Sequence, residues 1–264
     1  MRQYVVKNIA SSAGRWLDVA PGRFPGWIAS FAQRHGGTGD TAQDFALTVT
    51  LTGVNVIFTA PDGAVAECHP PFPPVPALPG LAATGDPAAC AEAVKAHALA
   101  SRTVGVLLVR LGGYAAGVFT GPPPELKASK TGARLVHGRS AAGGWSQHRF
   151  ARRREKQASE ALQAAADAAV AVFGQWAAGR SGSGGDNSKK GPGRDAGVRP
   201  GLDAVVLGGD KRAMAELRED PRLAPYLELA VDRFLTVPDP KLAVLKGTPE
   251  LFMAVRIRLS EPTT

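Results

Sequence analysis

The chain has 264 residues, an apolar fraction of 44%, aromatics at 6% and a net charge of +8. That length can bury a sizeable core in one or two domains, and the positive balance favours a polyanionic partner, nucleic acid or an anionic membrane surface. No run of about 18 apolar residues offers a membrane span, and only Cys68 and Cys90 are present, without CxxC or a nearby histidine, which argues against a disulfide framework or a thiolate zinc site.

The first residues hold no long apolar stretch, so no signal peptide is expected, and the chain reads as cytoplasmic with two free thiols. Residues 23–35 (RFPGWIASFAQRH) predict a short helix with Trp27, Ile28 and Phe31 on one face, ended by Gly36-Gly37. FALTVTLTG (45–53) and VNVIFTA (54–60) follow as a hairpin of two β runs. HPPFPPVPALPG (69–80) reads as a stiff surface connector without regular structure, because proline removes donors and fixes φ. Asp86 can cap a helix over 87–101, with Pro87 in its first turn and Ala89, Ala93, Val94, Ala96 and Leu99 as its apolar side. VGVLLVRLGGYAAGVFTG (104–121) then gives two apolar runs around Gly112-Gly113, and ELKASKTGARLVH (125–137) a more polar strand.

That strand enters the most informative stretch, GRSAAGGWSQHRFARRREK (138–156). A glycine-rich loop without aliphatic bulk, Gly138 to Gly144, runs into Trp145, Ser146 and Gln147. Its glycines permit backbone angles and close approach that a Cβ would block. A basic segment follows, in which Arg149, Arg152, Arg153, Arg154 and Lys156 outweigh Glu155 and attract phosphate. From about 147 to 178 a long helix is expected, since Leu162, Ala165, Ala169, Val172, Phe173 and Trp176 recur at three- and four-residue steps. GRSGSGGDNSKKGPGRDAG (179–197) offers nothing to bury and reads as a flexible linker; it has no GxxxxGK[ST]. Beyond it come a strand (203–207), a helix (210–218), a second helical piece (221–228), a strand (231–236) and an apolar alternation, LFMAVRIRLS (251–260). Strands alternating with helices imply an α/β fold, a mixed sheet with packed helices. Two domains are expected: residues 1–100, of unknown role, and residues 101–264, with a flexible insertion at about 179–198.

GGWSQHRFARRREK resembles the GGQ loop of the middle domain of eukaryotic and archaeal class-I release factors, which continues close to SALRFARLRxEK. Arg149-Phe150-Ala151-Arg152 and Arg154-Glu155-Lys156 keep the same spacing from the paired glycines. Trp145 stands where that family has its glutamine, and Gln147 lies two residues later. The resulting GxxQ, Gly144 to Gln147, is similar to the Vms-like release factors, in particular a bacterial, actinobacterial-type branch. LDAVVLGGDKRAMAEL (202–217) and DPRLAPYL (220–227) are similar to the family's strand, glycine turn, helix and D-x-R-L, so the resemblance covers about 103–236. It implies a release-factor middle-domain layer of RNase H-like type. No counterpart of the stop-codon-reading domain is recognisable.

The resemblance implies a codon-independent peptidyl-tRNA hydrolase that acts on stalled ribosomes or large subunits and contacts ribosomal RNA, as a monomer without membrane attachment. Gln147, with Gly143 and Gly144, would form the catalytic tip. A neutral amide and backbone N–H groups can place water and stabilise an oxyanion without acting as acids or bases. Trp145, His148, Arg149, Arg152, Arg153, Arg154 and Lys156 would bind RNA, though Trp145 could equally fold onto the helix as a buried anchor. His137 and His148 flank the loop without a carboxylate or cysteine, so no metal and no cofactor are expected. A nuclease cutting tRNA near its acceptor end and a non-catalytic RNA-binding module are the competing readings.

Overall fold

The computed structural model describes residues 14–36, 47–110, 112–133, 146–181 and 201–262, and for 146–155, 157–158 and 177–181 the backbone path alone. It forms two units, Met1–Leu99 with Met253–Thr264, and Ala100–Phe252.

The first unit comprises strands β1 (Arg15–Val19), β2 (Thr48–Thr52), β3 (Asn55–Thr59), β4 (Val65–His69) and β10 (Val255–Ser260), with helices α1 (Phe24–His35), α2 (Leu78–Thr84) and α3 (Pro87–Ala98). The strands make one antiparallel sheet in the order β1-β10-β4-β3-β2. Strand periodicity turns Val56, Phe58, Ala66, Cys68, Val255, Ile257 and Leu259 to one face. They share a core with Phe24, Ile28 and Phe31 of α1 and Cys90, Ala91 and Val94 of α3. The expected hairpin is β2–β3, closed by Thr52↔Asn55 with Gly53 at φ 60. Both cysteines are free and buried.

Three features of this unit differ from the sequence expectation. Within 69–80, Pro70, Pro71, Val75 and Leu78 are buried and α2 begins, with Pro79 in its first turn. Proline is tolerated there because its missing N–H would have had no helical partner. Asp86 caps α3 as expected, accepting from the N–H groups of Ala88 and Ala89. The buried side of α3 is Cys90, Ala91, Val94 and Ala98, whereas Ala96 and Leu99 are exposed. Cys90 behaves as a small hydrophobe and turns the helix by about one position. The alternation at 251–260, assigned to the second domain from the sequence, is cut in two: its last part is β10, inserted between β1 and β4.

The second unit contains β5 (Thr103–Arg110), β6 (Gly113–Thr120), β7 (Glu125–Ala133), β8 (Ala204–Gly209) and β9 (Ala230–Leu235). Its helices are α4 (Ser146–Ser181), α5 (Lys211–Leu217), α6 (Ala224–Leu227), α7 (Leu242–Lys246) and α8 (Thr248–Met253). The sheet is mixed and ordered β7-β6-β5-β8-β9, antiparallel on the β7 side and parallel from β5 to β9. Of the residues expected on the packed face of α4, Ala165, Ala169, Val172 and Phe173 are buried against the sheet's Leu107, Val109, Ala116, Val118 and Leu207, while Leu162 and Trp176 pack at the margin. No described helix is long and apolar enough to cross a membrane.

Candidate functional site

Strand register brings the root of the glycine-rich loop to one end of the second sheet. Ala133, the last residue of β7, pairs with Gly113 of β6, and Gly113 pairs with Arg110 of β5. On the other side Val109 pairs with Gly209, the last residue of β8. The chain therefore leaves β7 for the 134–145 segment at the carboxyl ends of the parallel strands. Open α/β sheets leave room for ligands outside those ends, because the strands feed their loops there.

The expected tip residues Gly143, Gly144 and Trp145 lie outside the described residues, as do His137 and the rest of the loop. Gln147, His148, Arg149, Arg152, Arg153, Arg154 and Lys156 all belong to the first turns of α4. At 36 residues this helix is about 54 Å long. Its first turn carries no acidic residue. The exposed positions Lys156, Glu160, Gln163 and Asp167 follow one helical line at three- and four-residue steps. Continued towards the start of the helix, that line runs through positions 149, 152 and 153. The opposite side carries Ala165, Ala169, Val172 and Phe173 into the core. One helix is thus anchored to the sheet by its later turns and carries the basic segment on its earlier ones.

A bridge that sequence reasoning did not anticipate links α4, already anchored by its buried face, to the segment before α6. Arg222 donates from Nη1 to Asp167 Oδ1 on α4 at 2.8 Å and from Nη2 to Asp220 Oδ2 at 2.6 Å. Gln163 also donates to Asp167, at 3.1 Å. Asp220 additionally accepts the backbone N–H of Arg222 at 3.0 Å, and Leu223 is buried. Hydrogen bonds from Arg222 hold the Asp167 and Asp220 carboxyls below their ordinary range, and those same bonds raise the guanidinium. Only the near half of this bridge is local in the sequence, in D-x-R-L (220–223), where the acid caps, the arginine bridges and the leucine is buried.

Beside the bridge, a groove of about 480 Å³ separates α4 from α5, lined by Ser159, Leu162 and Gln163 on one side and Arg212, Glu216 and Leu217 on the other. At the head of α5, Gly209 adopts φ +106 and Asp210 caps the helix, accepting from the N–H groups of Arg212 and Ala213 at 2.8 and 2.9 Å. The Asp210 N–H bonds the Val109 carbonyl at 2.8 Å and so holds this turn against β5. Among the described residues, no three His, Cys, Asp or Glu side chains converge as a metal site would require.

Charge is divided unequally between the two units. The first contains eight Lys and Arg against eight Asp and Glu, and the second 23 against 15, so the net +8 lies wholly in the unit that carries the loop.

A family model described as Actinobacteria/chloroflexi VLRF1 release factor matches residues 102–258, more than half of the chain. No curated protein matches. Among solved structures, that of the archaeal translation termination factor aRF1 aligns at 13% identity and a TM-score of 0.37, covering 90% of this chain and 66% of that one. A second, described as an archaeal protein, aligns at 13% identity and a TM-score of 0.31, covering 89% and 64%. The chain thus spans about two thirds of the length of these structures.

Proposed function

From the premise that this chain belongs to the Actinobacteria/Chloroflexi VLRF1 release-factor family, we propose that it hydrolyses the ester of peptidyl-tRNA on stalled ribosomes or large subunits, without reading a codon. The observation that carries this reading is the joining of a GxxQ loop to α4 at the carboxyl ends of the parallel strands, in the unit holding all of the net charge. A glycine-rich loop with one amide, set on a basic stem, suits a narrow cavity walled by RNA phosphate.

In this mechanism water attacks the ester carbonyl carbon, the tetrahedral intermediate carries an oxyanion, and the C–O bond to the tRNA 3′ ribose breaks. The ribose oxygen leaves and takes up a proton. Gln147, through its amide or its backbone N–H, orients the water and bonds the developing oxyanion, while Gly143 and Gly144 let the tip approach. Neither group has to titrate, since the contribution is positioning and electrostatic stabilisation. The cations of α4 hold RNA phosphate, and Trp145 stacks on a base. The protein works as a cytoplasmic monomer.

The test is release of labelled peptide from purified ribosomal complexes. Gln147→Ala should slow release and leave ribosome binding near the wild-type level, because a contact made only in the transition state changes rate rather than affinity. Loss of one preorganised donor costs on the order of 3 kcal/mol, about a hundredfold. Alanine keeps the backbone N–H, so a smaller loss would assign the greater share to the backbone. Wild-type release by this variant would remove the Gln147 side chain from the chemistry. Shortened tRNA instead of free peptide would identify a nuclease, and binding without either product a docking module.

A further inference from the structure

The cations of the second unit are not confined to α4. Arg110 ends β5, and Lys211 and Arg212 begin α5 one residue, the Asp210 cap, after Gly209, which is next to Val109 in the sheet. The segment after β9 crosses the same strand ends. Arg110 Nη1 donates to the Val237 carbonyl at 2.8 Å, and Pro240 lies against Gly113, so Lys241 arrives beside the root of the loop. All four cations are exposed. Asp210 and Asp239 are the acids in these same turns, and Asp210 Oδ1 is engaged by two backbone N–H groups. Arg212 sits 3.4 Å from Glu216, a pair exposed on both sides, and such pairs are worth little. Across the groove from Arg212 lies Ser159, about 4.5 Å of helix rise beyond Lys156.

We propose that Arg110, Lys211, Arg212 and Lys241 form a second phosphate-binding patch around the root of the loop, which extends the basic line of α4 and grips the backbone of the RNA that the loop enters. The proposal rests on the release-factor reading above. It is favoured by place as well as by charge: the patch borders the end of β7 from which the chain departs for α4, and the net charge of the chain lies in this unit. The first unit provides the contrast. Among its described residues the most exposed large aromatic, Trp16 at 46%, already carries Arg256 over its ring at 4.6 Å, in a unit whose charges balance. The RNA partner supplies phosphates either from the ribosomal large subunit or from the tRNA acceptor arm.

The test uses the full chain with Lys211→Gln, Arg212→Gln and Lys241→Gln combined. Arg110 is left intact because its bond to Val237 braces the fold. Binding is measured over a salt series to purified large subunits and, separately, to free tRNA. Two comparison variants accompany it: Arg152, Arg153 and Arg154 to Ala, and Arg15, Arg34 and Lys95 to Gln in the neutral unit. The patch variant should lower the slope of log affinity against log salt by about two to three, and affinity near 0.1 M salt by roughly tenfold or more, since each neutralised phosphate contributes about 0.7 to 0.9 to the slope. The neutral-unit variant should leave both unchanged. Loss on subunits alone assigns the patch to ribosomal RNA, loss on free tRNA alone assigns it to the tRNA backbone, and loss on both identifies a patch that grips either phosphate backbone. An unchanged slope in the patch variant, with a reduced one in the α4 variant, overturns the patch and leaves the release-factor reading standing. An equal loss in the neutral-unit variant overturns it as an effect of net charge. Unchanged binding in both the patch and α4 variants overturns the RNA reading itself.

Discussion

Gly209 turns the chain from β8 into α5 at φ +106, and a Cβ there would overlap the carbonyl of Val109 on the neighbouring strand. Neither strain can relax cheaply, because one is intrinsic to L-residues and the other involves backbone rather than a flexible side chain. Gly209→Ala should therefore destabilise the chain by about 2–4 kcal/mol, read as a lowered midpoint in thermal or denaturant unfolding. An unchanged midpoint would mean that the Asp210 N–H to Val109 bond yields without cost. Residue-level features of this kind were unevenly legible. The Asp86 cap was readable because a capping acid and Pro87 stand together in the sequence. The crowding at Gly209 was not, since Val109 lies a hundred residues upstream and meets it only through strand pairing.

At the scale of the element, α4 carries two functions on one continuous helix. Its later turns are tied by burial and by the Arg222 bridge to Asp167, and its earlier turns carry the basic segment. Arg222→Ala should lower the melting temperature at neutral pH, and the difference from wild type should shrink in acid. Both carboxyls of the bridge have depressed pKa values, so their contribution is complete above the ordinary carboxylate range and is lost as pH falls through and below it. Melting curves between pH 7 and about pH 3 check this; coincident curves would show that the bridge adds no stability, and a constant offset that its contribution does not depend on the carboxylates. The helix and its packed face were legible because a 3.6-residue apolar period over some thirty residues has few other solutions. The bridge was not, because an ion pair between positions 167 and 222 has no local signature. In the first unit, β1 and β4 were not legible because RWLDV and VAECH each hold a single β-branched residue, unlike the β-branched runs of β2 and β3.

The whole molecule is organised by a chain that returns. β10 comes from the end of the sequence and lies between β1 and β4, with Val255, Ile257 and Leu259 all buried. Removing 253–264 should unfold the first unit, because it strips β1 of its partner in the sheet and opens the core. Limited proteolysis should then cut within residues 14–98 and spare 103–133 and 204–235. Deleting 182–195 should instead leave the melting transition and peptide release in place, since that composition buries nothing and loop closure depends only weakly on length. Retained protection of the first unit after the terminal deletion, or unfolding after the internal one, would contradict these assignments.

The sequence by itself determined the β2–β3 hairpin, the long helix α4, the basic segment with its GxxQ approach and the resemblance to release factors, because each depends on residues near one another in the chain. Tertiary structure alone decided that the last strand completes the first sheet, and that the root of the loop meets Arg110, Gly209 and the head of α5 at one sheet end. Strand pairing is selected by complementary faces and loop closure over long separations, and no local spacing encodes either.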